Sequence, residues 1–400
     1  MNILFISTLY PTQPLESNEG VTLALHNLVK RWNQAEDVDI LVIRPVFFYL
    51  REIFKKKPFF KEKMIAIDNV KIIVYPVFKI PKLAYFYYPL TRFLKRNDFK
   101  PGLVIAHFDK SLTIGYKFSK AMRLPLIAGL HITIDLSIEN PGRFTARCKK
   151  VLDFAAAVAC RSYVIYRRIS QWFPGYKQKS FIAFSGIEKE IITDENLSLK
   201  KFQSWGKSQL IRFITVSSLI ERKKITDILN ALALLDKKIR WTYIIAGEGD
   251  ERKKLEQSAR TLGIGDRVEF LGKVSRLEAI NLMKKSHVFL LLSKYETFGL
   301  VYLEAMAAGN IVIGSKNEGI DGIIEHPENG FLCEPGNINQ LKQTIEHILS
   351  LPGKNVESLI KKAFAVVRNY TEEQAAESYL RHIKEVHEKN NNHFFHRSKK

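Results

Sequence analysis

The sequence predicts an α/β chain built on two doubly wound parallel sheets. Three observations carry that expectation. Between Ile211 and Ser350, five short apolar runs alternate with five stretches of helical periodicity, the pattern of strands joined by crossover helices. One of those runs, Val288–Leu292, is apolar without interruption, as suits a strand covered on both faces. A length of 400 residues exceeds what a single core usually serves, so two or three domains are expected.

The first half opens with a strand, Asn2–Ser7, a loop from Thr8 to Gly20 carrying Pro11, Pro14 and Asn18, and a helix from Val21 to Trp32. Strand, glycine-containing loop and helix make the phosphate-facing opening of many α/β domains, because unpaired amides collect at the helix N-terminus. No G-x-G-x-x-G is present, so the dinucleotide fingerprint is missing. Strands are expected at Asp39–Ile43, Lys71–Tyr75, Leu103–Ala106, Leu126–Leu130, near Val158 and at Ser180–Phe184, with helices at Phe144–Ala156 and Ser162–Phe173. Two of the strands run into a histidine, His107 and His131, at the carboxyl edge where such sheets bind ligands. Phe47–Met64 and Leu83–Lys100 read as irregular segments that mix aromatics with clustered Lys and Arg. That composition suits either a membrane-surface helix or a core flank with a solvated basic rim. The polar stretch running to Ser208 reads as a hinge.

In the second half, strands at Ile211–Val216, Trp241–Ala246, Val268–Leu271, Val288–Leu292 and Ile311–Gly314 alternate with helices at Thr226–Leu235, Glu251–Leu262, Arg276–Lys285, Phe298–Ala308 and Gln340–Ser350. A last, charged amphipathic helix covers Thr371–Glu388, and the basic tail beyond it is expected to be disordered. Val288–Gly309 organises this half: a strand, a polar loop Ser293–Thr297, and a helix stopped by Gly309. Glu296 lies in the loop, and Glu304 lies about a turn and a half into a helix that is apolar nearly all round. Carboxylates beside amides that attract anions fit a ligand carrying both hydroxyls and phosphate, and a sugar nucleotide carries both.

The formal charge is +21, and residues 1–186 hold most of it, with 29 Lys+Arg against 13 Asp+Glu. Such asymmetry points to nucleic acid, an anionic membrane face or an acidic substrate. No recognition-helix or RNA-binding signature accompanies the charge, so nucleic acid is not expected as a partner. Cys148, Cys160 and Cys333 show neither paired nor metal-ligand spacing, which argues for a reducing compartment. The N-terminus lacks the basic start of a signal peptide, and no apolar run reaches the ~18 residues of a spanning helix. A cytoplasmic protein is expected.

Glu296 and Glu304 stand in the segments E-T-F-G-L and E-A-M-A-A-G, with seven residues between them. This resembles the signature of retaining glycosyltransferases of the GT-B fold, glycosyltransferase family four. The resemblance covers nearly the whole second half and, more loosely, the strand ends of the first. It implies two Rossmann-like domains facing each other across a cleft: an acceptor-binding domain over residues 1–185 and a donor-binding domain over 209–370. Between them, 186–208 would form the hinge; 371–389 would form a helix returning to the first domain, and 390–400 a disordered tail.

The resemblance also implies roles. Glu296 would hold hydroxyls of the donor sugar, the amides of Phe298, Gly299 and Leu300 the sugar or diphosphate, and Glu304 the ribose hydroxyls. Lys223 falls on the family's diphosphate-clamping lysine, whereas Ser218 stands where the family has arginine and Lys224 where it has glycine. A cation is needed because departure of a nucleoside diphosphate builds negative charge. Gly247 and Gly249 match an A-G-x-G segment, and Phe270 and Leu271 lie in the segment whose backbone reads the nucleobase. His131, after the strand Leu126–Leu130, would face the donor sugar. Gly20 is what remains of a paired-glycine loop, with Glu19 a departure, and Phe184–Glu188 keeps only Gly186 and Ile187 of the linker motif. His107 and Asp135 are candidates on the acceptor side. The implied reaction retains anomeric configuration by front-face attack guided by the leaving phosphate. It needs no cofactor or metal, and no Asp-x-Asp motif suggests one. The implied partners are a nucleoside diphosphate sugar, a glycan or lipid-linked acceptor of bacterial polysaccharide or lipopolysaccharide synthesis, and the inner membrane face. A GT-B epimerase or phosphorylase would share these features, and Ser218 leaves open a non-catalytic partner subunit.

Overall fold

The structure, a computed structural model, describes residues 1–13, 23–49, 62–79, 87–107, 109–131, 141–206 and 210–397. The chain divides into two units. Unit one comprises Met1–Arg161, Ile165–Ser185 and Glu372–Lys400, and unit two Ser162–Val164 and Gly186–Thr371.

In unit one the elements run β1 (Asn2–Ser7), α1 (Leu23–Trp32), β2 (Asp39–Tyr49), β3 (Lys63–Ile67), β4 (Val70–Lys79), α2 (Tyr87–Arg96), β5 (Leu103–His107), α3 (Asp109–Met122), β6 (Leu126–Leu130), α4 (Pro141–Phe154), β7 (Ala157–Cys160), α5 (Tyr163–Trp172) and β8 (Ser180–Ile182). Their sheet has the order β3-β4-β2-β1-β5-β6-β7-β8. Every pairing is parallel except the β3–β4 hairpin. The central strands β5 and β6 are buried at every position, as suits their apolar runs, and the one polar residue among them is His107 at the end of β5.

Several elements depart from the sequence reading. The basic-aromatic segments are partly regular: the end of β2 and the first two residues of β3 fall in the first, and α2 in the second. β2 and β4 run on past Ile43 and Tyr75 through Pro45 and Pro76. The prolines are tolerated because β1 leaves β2 at Ile43 and β3 leaves β4 at Val74, so each strand has lost one neighbour there. The helix α3 had not been expected.

Unit two runs α6 (Glu195–Lys200), β9 (Ile211–Val216), α7 (Ile225–Ala233), β10 (Trp241–Ala246), α8 (Arg252–Thr261), β11 (Val268–Gly272), α9 (Arg276–Lys285), β12 (Val288–Leu290), α10 (Leu300–Ala307), β13 (Ile311–Ser315), β14 (Phe331–Cys333), α11 (Ile338–Ser350) and α12 (Gly353–Val367). Its sheet has the order β11-β10-β9-β12-β13-β14 and is parallel throughout. The order reverses between β9 and β12, and in unit one between β1 and β5. At such a reversal the loops leaving two adjacent strands diverge to opposite faces and open a crevice at the carboxyl edge. Asp194, Ser275 and Asn337 cap α6, α9 and α11 by accepting backbone N–H bonds. Within the stretch read as a hinge, α6 is a short helix of this unit.

The last helix, α13 (Glu372–Arg397), belongs to unit one. Ala375, Ala376, Tyr379, Ile383 and Val386 enter the same core cluster as Phe5, Val29 and Trp32. The Trp32 Nε1–H donates to the Ala376 carbonyl at 2.9 Å, and Arg31 pairs with Glu372 at 3.0 Å. The stretch 390–397, expected to be disordered, is helical. Its run of asparagines is a weak helix former, but no Pro or Gly stops a helix already started.

Candidate functional site

The switch point of unit two brings together two loops that are far apart in sequence. β9 leads into Ser217–Lys224, and β12 leads into Leu291–Gly299. Lys223 closes a short 3-10 turn in the first loop and is 8% exposed. Its Nζ donates to Glu296 Oε2 in the second loop at 2.7 Å, and Arg222 stands 3.9 Å from the same oxygen. Burial pushes the Glu296 carboxyl up. The Lys223 ammonium, its hydrogen bond and Arg222 outweigh that push and hold the carboxyl below the ordinary range. The loop around Glu296 is itself anchored. The Lys294 N–H donates to the Arg222 carbonyl at 2.7 Å, the Glu296 N–H to Glu318 Oε2 at 2.8 Å, and the Gly319 N–H to the Glu296 carbonyl at 2.9 Å.

Lys224, at the family's glycine position, adopts a left-handed φ of +53° between the 3-10 turn and α7. An L side chain there costs about 1–2 kcal/mol, which is the physical reason a glycine suits this corner. Ser218 is exposed. Gly247 and Gly249 admit close backbone approach: a Cβ would lie 1.8 Å from the Ser217 carbonyl oxygen at the first and 2.3 Å from that of Leu219 at the second. The two loops are bonded there, the Leu219 N–H donating to the Glu248 carbonyl at 2.7 Å. Their first role in the structure is thus to let the turn after β10 close on the loop after β9.

Gly299 caps α10 with φ +82°, leaving the amides of Phe298, Gly299 and Leu300 at that helix's N-terminal end, while the Phe298 side chain is buried. Leu271 is 37% exposed on the edge strand β11, and the Phe270 carbonyl accepts from Arg252 Nη2 at 3.3 Å. Glu304 is not isolated, as the sequence had suggested. Its Oε1 accepts from Arg276 Nε at 2.9 Å, and Arg276 Nη1 donates to Glu188 Oε1 at 2.6 Å. Reasoning from sequence missed Arg276. A signal existed: a cation on the first residue of a helix opposes the macrodipole.

In unit one, His131 is 6% exposed and its Nε2 lies 2.9 Å from His107 Nδ1. His107 is fully buried, with its Nε2 at 3.1 Å from the Tyr379 hydroxyl and its ring stacked on Phe5. A group with no exposed surface does not touch an acceptor, so His107 reaches one only through His131. Burial, helped by the nearby Arg161 charge, holds both imidazoles well below their ordinary pKa and neutral at pH 7. Arg161 follows β7 and is 2% exposed; it donates to the Phe184 carbonyl and to Ser185 Oγ. Burial lowers its pKa to about 10. Gly20 and Asp135 lie outside the described residues.

The family profile of glycosyl transferases group 1 matches residues 199–366. N-acetyl-alpha-D-glucosaminyl L-malate synthase of Bacillus anthracis is 37% identical over 139 residues, which is 35% of this chain and 36% of that protein. Alpha-monoglucosyldiacylglycerol synthase of Streptococcus pneumoniae is 22% identical over 327 residues, 76% of this chain and 74% of that protein. The first of these matches thus spans little more than a third of its relative's length. Among solved structures, HepE of Anabaena in complex with UDP superposes with a TM-score of 0.72 at 20% identity, covering 96% of this chain and 100% of that one. Residues 199–366 thus carry the profile of glycosyl transferases group 1, and the fold of the chain is GT-B.

Proposed function

We propose that this protein is a retaining glycosyltransferase that moves a hexose from a nucleoside diphosphate sugar to a membrane-borne acceptor, in synthesis of a surface polysaccharide or lipopolysaccharide. The observation that carries the reading is the Lys223–Glu296 pair, largely buried, at the switch point of unit two. A carboxylate kept ionised accepts hydrogen bonds from sugar hydroxyls, and a buried ammonium beside it has an obvious second use on phosphate. In the transfer, the acceptor oxygen bonds the anomeric carbon as the bond from that carbon to the phosphate oxygen breaks. The electron pair leaves on the nucleoside diphosphate, and the acceptor proton passes to a phosphate oxygen on the same face, so configuration is retained. Lys223, with Arg222 beside it, meets the charge that grows on the diphosphate, and the proposal gives no step to a metal. His131, neutral at pH 7, suits a hydroxyl rather than a phosphate. Binding of UDP by HepE supports a uridine donor.

A lipid-linked acceptor is supported by the charge of the first half and by the name of the streptococcal relative, which makes a glycolipid. On α2, Leu90 and Leu94 are buried while Arg92, Lys95 and Arg96 are exposed, a basic outer face of the kind that holds proteins to anionic leaflets. No helix among the described residues is long and apolar enough to cross a membrane, so the seat on the inner membrane face would be peripheral. The test of the reading is turnover of a panel of nucleoside diphosphate sugars by wild type and Glu296→Gln. Transfer is expected from wild type and a loss of about a hundredfold or more from the variant. Equal turnover would remove Glu296 from the reaction.

A further inference from the structure

We propose that Arg276 is a positioning residue for the nucleoside half of the donor site, holding the Glu304 carboxylate by one oxygen and leaving the other for the ribose hydroxyls. The inference rests on the reading above, in which Glu304 receives those hydroxyls. Three observations support it. Arg276 Nε binds Glu304 Oε1 alone, at 2.9 Å, and Glu304 Oε2 has no partner among the described residues. The Glu304 side chain is 14% exposed and sits in the second half of an eight-residue helix, where the macrodipole gives a carboxylate no help. Without the guanidinium, nothing among the described residues holds that carboxylate in place for the two hydroxyls of a diol. Finally, Arg276 occupies the first residue of α9, held by the Ser275–Glu278 capping box, at a place where helix energetics disfavour a cation. A local choice that works against its own helix is explained by what the side chain reaches. Glu188 supplies the second anchor, at 2.6 Å from Nη1, so the guanidinium is fixed from both sides. Burial works against the Arg276 charge, and the two carboxylates more than offset it.

Arg276 acts through Glu304 and is given no contact with the nucleotide. Its removal should therefore blur recognition of the ribose and leave recognition of the diphosphate in place. The experiment is calorimetric titration of the full chain with UDP, ADP and GDP and with their 2′-deoxy and 3′-deoxy counterparts. Wild type, Arg276→Gln, Arg276→Lys and Glu304→Gln are compared, with far-ultraviolet circular dichroism to verify folding. Wild type is expected to bind a ribonucleotide at least tenfold more tightly than its deoxy counterpart. In Arg276→Gln that ratio should fall toward one, and Arg276→Lys should restore part of it. A helix-packing role alone would lower every affinity together and leave the ratio unmoved, which overturns the proposal. If Glu304→Gln collapses the ratio while Arg276→Gln keeps it, the inference about Arg276 fails by itself. If Glu304→Gln also keeps it, or wild type binds none of the three diphosphates, the assignment of Glu304 fails and the proposal goes with it.

Discussion

Replacing Lys223 by Met keeps most of the side-chain volume and deletes one charge from a pair whose side chains are 10% and 16% exposed. Breaking a buried pair at one partner costs about 3–5 kcal/mol, because the other charge is left stranded. Glu296 has an escape, which is to protonate. Neutralising a carboxyl of ordinary pKa near 4.3 at pH 7 costs roughly 3.7 kcal/mol, and that figure caps the loss. Arg222, 3.9 Å from the same oxygen, recovers part of it, so a loss of about 3 kcal/mol is expected at pH 7. The pH dependence follows from the signs. In wild type the folded-state pKa of Glu296 is depressed, so its stabilisation is present above the unfolded value and is lost as pH falls through the lower folded one. In the variant, burial raises the folded pKa above the unfolded value, so a penalty grows with pH from about pH 4.3 upward. The gap between the two proteins should be widest near neutrality and smaller by about 2 kcal/mol at pH 5, where the variant's penalty has mostly gone. For a unit of about 190 residues, ~3 kcal/mol corresponds to roughly 6–12 °C in the midpoint of its thermal transition. Scanning calorimetry at pH 7.5, 6 and 5 reads this directly. A shift under about 2 °C, or one of the same size at pH 5 and 7.5, would refute the idea that the pair is buried and mutually dependent.

Three further outcomes are expected. Lys223→Ala should weaken nucleoside diphosphate binding more than Lys224→Ala in calorimetric titration; the reverse order would move the diphosphate clamp to another cation. Lys224→Gly should raise the stability of unit two by about 1 kcal/mol, since it relieves a left-handed lysine, and a lowered melting temperature would contradict the strain. Wild type should sediment with anionic liposomes at low salt, and changing Lys55, Lys56 and Lys57 to Glu, in a basic stretch outside the described residues, should weaken that; no pelleting by wild type would leave a soluble acceptor.

Much of the secondary structure of unit two was legible because strand and helix periods alternate cleanly there, and β9 and β10 have the bounds their apolar runs suggest. Elements whose local chemistry is weak were hidden. The helix α3 carries Gly115 and the β-branched Thr113 and Ile114, and β14 has three residues. The extensions of β2 and β4 were masked by prolines that ordinarily end a strand. Glu296 and Lys223 were each visible as candidates, but their contact was not: 73 residues separate them, and only the adjacency of β9 and β12 joins their loops. The same holds for Arg276 and Glu304, on neighbouring helices 28 residues apart. Single-residue patterns report periodicity and capping, whereas partners across a crevice depend on strand order.

The return of α13 to unit one has a consequence for the order in which the protein is made. Tyr379 is fully buried in unit one, against Trp32, His107 and Phe181, yet roughly two hundred residues are synthesised between Ser180–Ile182 and that tyrosine. At ~5–20 residues per second the first sheet waits about 10–40 s for the helix that completes its core. Unit two, apart from Ser162–Val164, is one uninterrupted stretch from Gly186 to Thr371 and has all of it before α13 emerges. The unit that begins first is finished last, and until then its unfilled core is the surface a chaperone would meet.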